Sequence, residues 1–295
     1  MRPFAYEVPS SVEEAVSLLD RFGENARPLA GGTDLVVQMR HGRRSLDRVL
    51  DIKRIPELRC MAYDGEAGLT IGAAMTCAEI GENPDVRTRY PGLLDGVSII
   101  GGTAIQGRAT IGGNLCNASP SGDAIPPLIV LRATCNIAGP DGKRSLPVED
   151  FCIAPGQTAL QKGELLVSLH LPPPAPHAGA RYLRFTPRGE MDIAVAGVGA
   201  WVALNDDHSR IEAARIALGA VAPTPLLVQS ADAVLVGQSP TKETLSEAAH
   251  MAQEVASPID DVRGGTAQRR HLVGVLVKRA LRGAIERAKG EEING

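Results

Sequence analysis

Two glycine-paired loops about eighty residues apart constrain this 295-residue chain more than any other feature. The first is Ala30-Gly31-Gly32-Thr33-Asp34-Leu35. The second is Thr110-Ile111-Gly112-Gly113-Asn114-Leu115, which runs on to Asn117-Ala118-Ser119-Pro120-Ser121-Gly122-Asp123. Paired glycines leave the backbone bare: without Cβ atoms the chain reaches positive φ and turns several N–H groups toward one anion. An amphipathic run from Leu35 adds a helix N-terminus to the first loop. A pyrophosphate fits that description. For either loop alone the alternative is a tight turn that happens to hold Gly-Gly, and it is the pairing that argues against it.

Periodicity organises the rest of the chain. Ser11 stands three residues before Glu14 and opens a capping box into a helix with Val12, Ala15, Val16 and Leu19 on one side. Residues 27–30 read as a strand, 35–40 as a short helix and 48–52 as the next strand, a small βαβ unit over residues 1 to about 55. From residue 58 to 171 short apolar runs take over at 69–71, 134–138 and 165–171, with a turn at Gly139-Pro140-Asp141-Gly142 and capping-box spacing from Thr76 to Glu79. This second lobe is α+β. Pro172-Pro173-Pro174-Ala175-Pro176 fits neither a helix nor a central strand and marks a boundary. Beyond it, 193–204 and 211–220 read as strands, and 242–256 and 266–289 as helices.

Composition narrows the function classes. The chain exceeds one ordinary core and suggests two or three domains. A net charge of −3 offers no long-range field to nucleic acid or anionic lipid. No window approaches the ~20 apolar residues of a membrane span, and the N-terminus lacks an apolar signal core, so the expected location is cytoplasmic. The five cysteines are odd in number and widely spaced, and the six histidines show no metal-type spacing; no metal site is expected. Gly197-Val198-Gly199-Ala200-Trp201-Val202 lacks the third glycine of a dinucleotide fingerprint and reads as a packed strand. Gly142-Lys143-Arg144-Ser145 misses the residues of a phosphate loop and reads as a hairpin tip. No catalytic residue is assigned, and hydrolysis has no support.

At this point the chain becomes recognisable. The two loops, in this order and at this distance, resemble those of the flavin-binding subunit of the molybdenum hydroxylases, the family of xanthine dehydrogenase and carbon monoxide dehydrogenase. Arg54-Ile55-Pro56-Glu57-Leu58, Arg188-Gly189-Glu190-Met191-Asp192-Ile193-Ala194, and Asp261-Val262-Arg263 through Arg269-Arg270-His271-Leu272 extend the resemblance over nearly the whole chain. One departure is Gly265-Thr266-Ala267-Gln268, where many relatives have Ser-Ala-Glu-Tyr; it bears on the C-terminal match and on a partner contact there.

The resemblance implies an α+β protein: a two-lobed FAD-binding domain of the PCMH type over residues 1–175 (lobes about 1–55 and 56–175), then a C-terminal α+β domain with a small antiparallel sheet and a helix bundle over 176–287, and a tail at 288–295. It implies that Leu29, Ala30, Gly31, Gly32, Thr33, Asp34, Leu35, Thr110, Ile111, Gly112, Gly113 and Asn114 hold the FAD pyrophosphate from two sides, through backbone N–H groups and the hydroxyls of Thr33 and Thr110. Asp123 would accept hydrogen bonds from the adenosine, or serve an ordinary Asx turn. Ile100 and Leu160 would pack on flavin or adenine, or simply in the core, and Arg184 would stand near the flavin, or on the surface.

The implied activity is that of a FAD-carrying electron-transfer subunit of an oxidoreductase. Molybdopterin is expected in a large partner chain and two [2Fe-2S] clusters in a small one, within a dimer of heterotrimers. Some relatives carry an extra cluster near the region of Cys116, Cys135 and Cys152; three thiols without a cluster-type run fall short of the usual four, so no iron is expected in this chain. A stand-alone flavin oxidase of related fold and a non-redox nucleotide-binding module are the alternatives. A bound yellow chromophore separates the last from the others, and co-purifying molybdenum and iron separate the first two.

Overall fold

A computed structural model describes residues 2–189 and 191–291; Met1, Glu190 of the Arg188-to-Ala194 segment and residues 292–295 of the expected tail lie outside it. The first lobe is the expected βαβ arrangement. Strands β1 (Ala5–Glu7), β2 (Ala26–Leu29) and β3 (Arg48–Asp51) form a parallel sheet in the order β1-β3-β2, with helices α1 (Val12–Phe22) and α2 (Leu35–Arg40) between them. Ser11 caps α1 by accepting from Glu14 N, but the Glu14 carboxylate turns to the N–H and hydroxyl of Ser10 instead of completing the box. Two bonds to Ser10 outweigh the one that Ser11 N offers. Val12, Ala15, Val16 and Leu19 bury against Ala26, Leu50 and Ile52, and against Ala138 and Leu165 of the next lobe. Each such leucine is worth about 2 kcal/mol.

The second lobe centres on a five-stranded antiparallel sheet, order β4-β5-β10-β6-β7. Its strands are β4 (Met61–Asp64), β5 (Gly68–Gly72), β6 (Thr134–Gly139), β7 (Gly142–Pro147) and β10 (Leu165–Leu171), with the small pair β8 (Cys152–Ala154) and β9 (Gln157–Thr158) outside it. Thr76 and Glu79 form the complete capping box of α3 (Cys77–Glu82). Helices α4 (Pro84–Arg89), α5 (Pro91–Val97), α6 (Thr103–Gln106), α7 (Ile111–Cys116) and α8 (Ile125–Val130) follow. Leu93, Ile111, Leu115, Ile125 and Leu128 from these helices meet Ile71, Ile137 and Leu169 of the sheet in one core. All of α8 is buried, and its Pro126 and Pro127 sit in the first turn, where no backbone donor is lost.

The C-terminal portion is a four-stranded antiparallel sheet, β11 (Ala178–Phe185), β12 (Ala196–Leu204), β13 (Ile211–Gly219) and β14 (Leu226–Leu227), covered by α9 (Ala231–Leu235), α10 (Lys242–Val255) and α11 (Thr266–Ala288). Periodicity misses β11 and starts β12 too early, at 193. The polar positions Arg181 and Arg184 of β11 find partners in Asp95 and Asp123 of the second lobe, which no local pattern reveals. The glycines at 197 and 199 have the packing role expected of them: a Cβ at Gly197 would stand 2.5 Å from Tyr182 Oη, and one at Gly199 2.9 Å from Pro126 O. Among the described residues, no helix is long and apolar enough to cross a membrane.

Candidate functional site

The two glycine loops meet. A Cβ on Gly31 would stand 2.0 Å from the carbonyl oxygen of Arg108, two residues before the second loop, so only glycine permits this approach. Between the lobes lies a cavity of about 930 Å³. Residues 29–35, Ile100, Thr110, Gly112, Gly113, Asn114 and Leu160 line it, whereas Ile111, Asp123 and Arg184 do not. Ile111 is fully buried in the second-lobe core.

Backbone accounting separates the work of the two loops. In the first, Gly32 has a φ of +75°, and the N–H groups of Gly31, Gly32, Thr33 and Asp34 have no acceptor among the described residues. They form a ready anion cradle where the chain enters α2. In the second, the N–H groups of residues 111–114 are all taken: Ile111 donates to Met75 O at 3.2 Å, Gly112 to Ala73 O at 3.0 Å, Gly113 to Thr110 Oγ1 at 3.0 Å and Asn114 to Thr110 O at 2.9 Å. This differs from the expectation of two equivalent backbone cradles. Thr110 is the N-cap of α7, so its hydroxyl accepts from Gly113 and keeps its own proton to donate. Gly112 is bare because Ala73 packs there, 2.6 Å from where a Cβ would be. The second loop therefore offers side chains, Thr110 and Asn114. The Asn114 carbonyl accepts from Ala124 N at 3.4 Å, which leaves its amide group to donate.

Sequence reasoning overlooks the polar frame around this cavity. Gln38 of α2 donates to Asn117 Oδ1 at 2.9 Å and accepts from Arg44 Nε at 2.8 Å, tying the first loop's helix to the end of α7. Arg27, Arg43 and Arg44 all line the cavity, and none has a carboxylate partner among the described residues. Burial, then the nearby Arg44 charge, lowers the Arg27 pKa from its ordinary value. Three guanidinium groups free of salt bridges suit an anionic ligand, with Glu24 the nearby opposite charge acting on Arg27. Arg27 was findable: it lies two residues before Leu29, on the strand that enters the loop. Burial raises the Asp34 carboxyl above its ordinary value. Cys116, though exposed, also lines the cavity. Burial pushes the Cys77 thiol up to about 12 and the Cys152 thiol up to about 11, so both stay protonated.

Asp123 and Arg184 pair with each other. Arg184 Nη1 donates to Asp123 Oδ2 at 2.5 Å, and Tyr182 Oη donates to Asp123 Oδ1 at 2.8 Å. Both side chains of the ion pair are about nine-tenths buried. Burial raises the Asp123 carboxyl to about 6, against the opposing pull of Arg184 and the Tyr182 and Arg184 hydrogen bonds.

Residues 2–174 match the family described as the FAD binding domain in molybdopterin dehydrogenase, and residues 181–284 match the CO dehydrogenase flavoprotein C-terminal domain. The chain is 30% identical to the xanthine dehydrogenase FAD-binding subunit of Escherichia coli O157:H7 over 288 residues, 97% of this chain and 98% of that one. It is 33% identical to the carbon monoxide dehydrogenase medium chain of Hydrogenophaga pseudoflava over 281 residues, 95% of this chain and 96% of that one. The fold superposes on a solved carbon monoxide dehydrogenase from Hydrogenophaga pseudoflava with a TM-score of 0.93 at 33% identity, covering 97% of this chain and 99% of that one. Two family matches that together span most of its length, and relatives at 30% identity or more over nearly all of it, make this chain a member of the FAD-binding subunits of the molybdenum hydroxylases, oxidoreductases of the xanthine dehydrogenase and carbon monoxide dehydrogenase type.

Proposed function

We propose that this chain holds FAD in the cavity between its lobes and passes electrons from a partner's iron–sulfur clusters to an external acceptor. The observation that carries the reading is the first loop, whose four N–H groups without an acceptor belong to residues that line the cavity together with Arg27, Arg43 and Arg44. The cavity's 930 Å³ lies at the upper end of the range for cofactor sites. FAD supplies the redox chemistry when bound, and this chain supplies position and charge. Residues 31–34 would hold the pyrophosphate, with Arg27 and Arg44 balancing its charge and the Thr110 hydroxyl and Asn114 amide approaching from the other side. The Asp34 carboxyl suits a ribose hydroxyl better than a phosphate. Ile100 and Leu160 form an apolar wall for a ring system. Asp123 would act on the adenosine end only after reorganisation, because both of its oxygens are committed to Tyr182 and Arg184.

The reading includes a division near residues 172–176 into an FAD-binding domain and a C-terminal domain. It includes a large molybdopterin-binding partner and a small iron–sulfur partner, assembled as a dimer of heterotrimers. Its test is the native complex, captured through a tag on this chain. We expect a large molybdenum-containing chain and a small iron-containing chain, with substrate bleaching the iron–sulfur clusters. In a complex carrying Gly32→Val, bleaching should persist while reduction of the physiological acceptor stops. Acceptor reduction at wild-type rates by that variant would refute the electron-transfer role.

A further inference from the structure

The segment that follows the second glycine loop is fastened to the C-terminal sheet. Asp123 takes both of its side-chain bonds from β11, from Tyr182 Oη and Arg184 Nη1. The next backbone N–H, that of Ala124, donates to Asn114 Oδ1 at 3.4 Å. Asp123 is thus one residue and one hydrogen bond away from an amide that lines the cavity. The same segment is held a second time, by Ala220 N donating to Pro120 O at 2.6 Å. Arg184 reaches outward as well, with Nη1 3.4 Å from Asp192 O.

Tyr182 is built for this contact. Its ring is buried, and its backbone N–H is anchored to Asp95 Oδ2 at 2.9 Å. The glycine at 197 in β12 leaves the room that its hydroxyl occupies, since any Cβ there would lie 2.5 Å from Oη. A phenylalanine would fill the core equally well. A buried phenol aimed at a buried carboxylate serves geometry, because each group satisfies the other only in one placement.

We propose that Tyr182 and Arg184 are positioning residues for the flavin site, acting through Asp123 to hold Asn114 and the second glycine loop against the cavity. FAD affinity then depends on a strand outside the FAD-binding lobes. The inference rests on the FAD reading above.

The test uses the full-length chain stripped of flavin and titrated with FAD. Tyr182→Phe, which removes one oxygen, should weaken FAD about fivefold, the effect of one hydrogen bond. In an Asn114→Ala background the same substitution should cost nothing further, since the route through Asn114 is already cut. Wild-type affinity in Tyr182→Phe overturns the proposal. So does a fivefold penalty that persists undiminished in Asn114→Ala, which would mark a general loosening of the fold. A wild-type chain that takes up no FAD would instead refute the FAD reading itself.

Discussion

At the scale of single residues, the account turns on close approaches and buried charge. Gly31→Ala places a methyl group 2.0 Å from Arg108 O and must push the loops apart, so we expect a folded chain with little flavin; Gly65→Ala, with nothing within 4 Å, serves as its control. The flavin-to-protein absorbance ratio after gel filtration decides, and equal ratios for the two variants would contradict the model. Asp123 yields a pH prediction with a definite sign. Its folded pKa of about 6 lies above the unfolded value of about 3.9, so its contribution to stability is present below pH 4 and lost as pH rises toward 6. The stability advantage of the wild type over Asp123→Asn should therefore shrink by about 2–3 kcal/mol between pH 4 and pH 7. Urea unfolding of both chains at the two ends of that range measures it, and a constant gap would show that burial does not dominate this carboxyl.

At the scale of elements, one aspartate joins three segments. Asp95 of α5 accepts from Arg287 of α11 through both nitrogens, at 2.7 and 2.9 Å, from Arg181 at 3.3 Å and from Tyr182 N at 2.9 Å. Both arginines are more than four-fifths buried, so Asp95→Ala would leave two guanidinium groups without a counter-charge. We expect a loss of about 3–5 kcal/mol, against a much smaller one for Arg89→Ala in an exposed pair on α4. Chemical denaturation compares them, and similar small losses would show that the clasp is not energetically important. This clasp also explains which elements the sequence makes legible. Helices α1, α2 and α10 and strands β3, β5 and β10 announce themselves by caps and apolar period, because their partners are close or their faces uniform. Strand β11 does not, since the arginines that break its pattern are neutralised by residues nearly ninety and sixty positions away. The site follows the same rule. Loop residues 29–35 are legible from local glycine chemistry, whereas the commitment of the second loop's N–H groups to Ala73, Met75 and Thr110 depends on packing between distant segments. The exchange of Arg184 from flavin neighbour to partner of Asp123 is a product of the same long-range contacts.

At the scale of the whole molecule, the candidate flavin site is shared between lobes. The first lobe brings the anion cradle and its arginines, the second a side-chain wall, and the C-terminal sheet braces the second from behind. Among the described residues, no group of three or more His, Cys, Asp or Glu side chains is placed to hold a metal ion. The central claim is that this chain alone carries the flavin in the cavity between its glycine loops. Flavin released from the purified, heat-denatured chain and quantified by chromatography tests it most directly, with Gly32→Val and Arg27→Ala alongside. We predict one FAD per wild-type chain, almost none for Gly32→Val and a weakened, partial occupancy for Arg27→Ala. A well-folded wild-type chain that retains no FAD after reconstitution, or variants as fully loaded as the wild type, would contradict it.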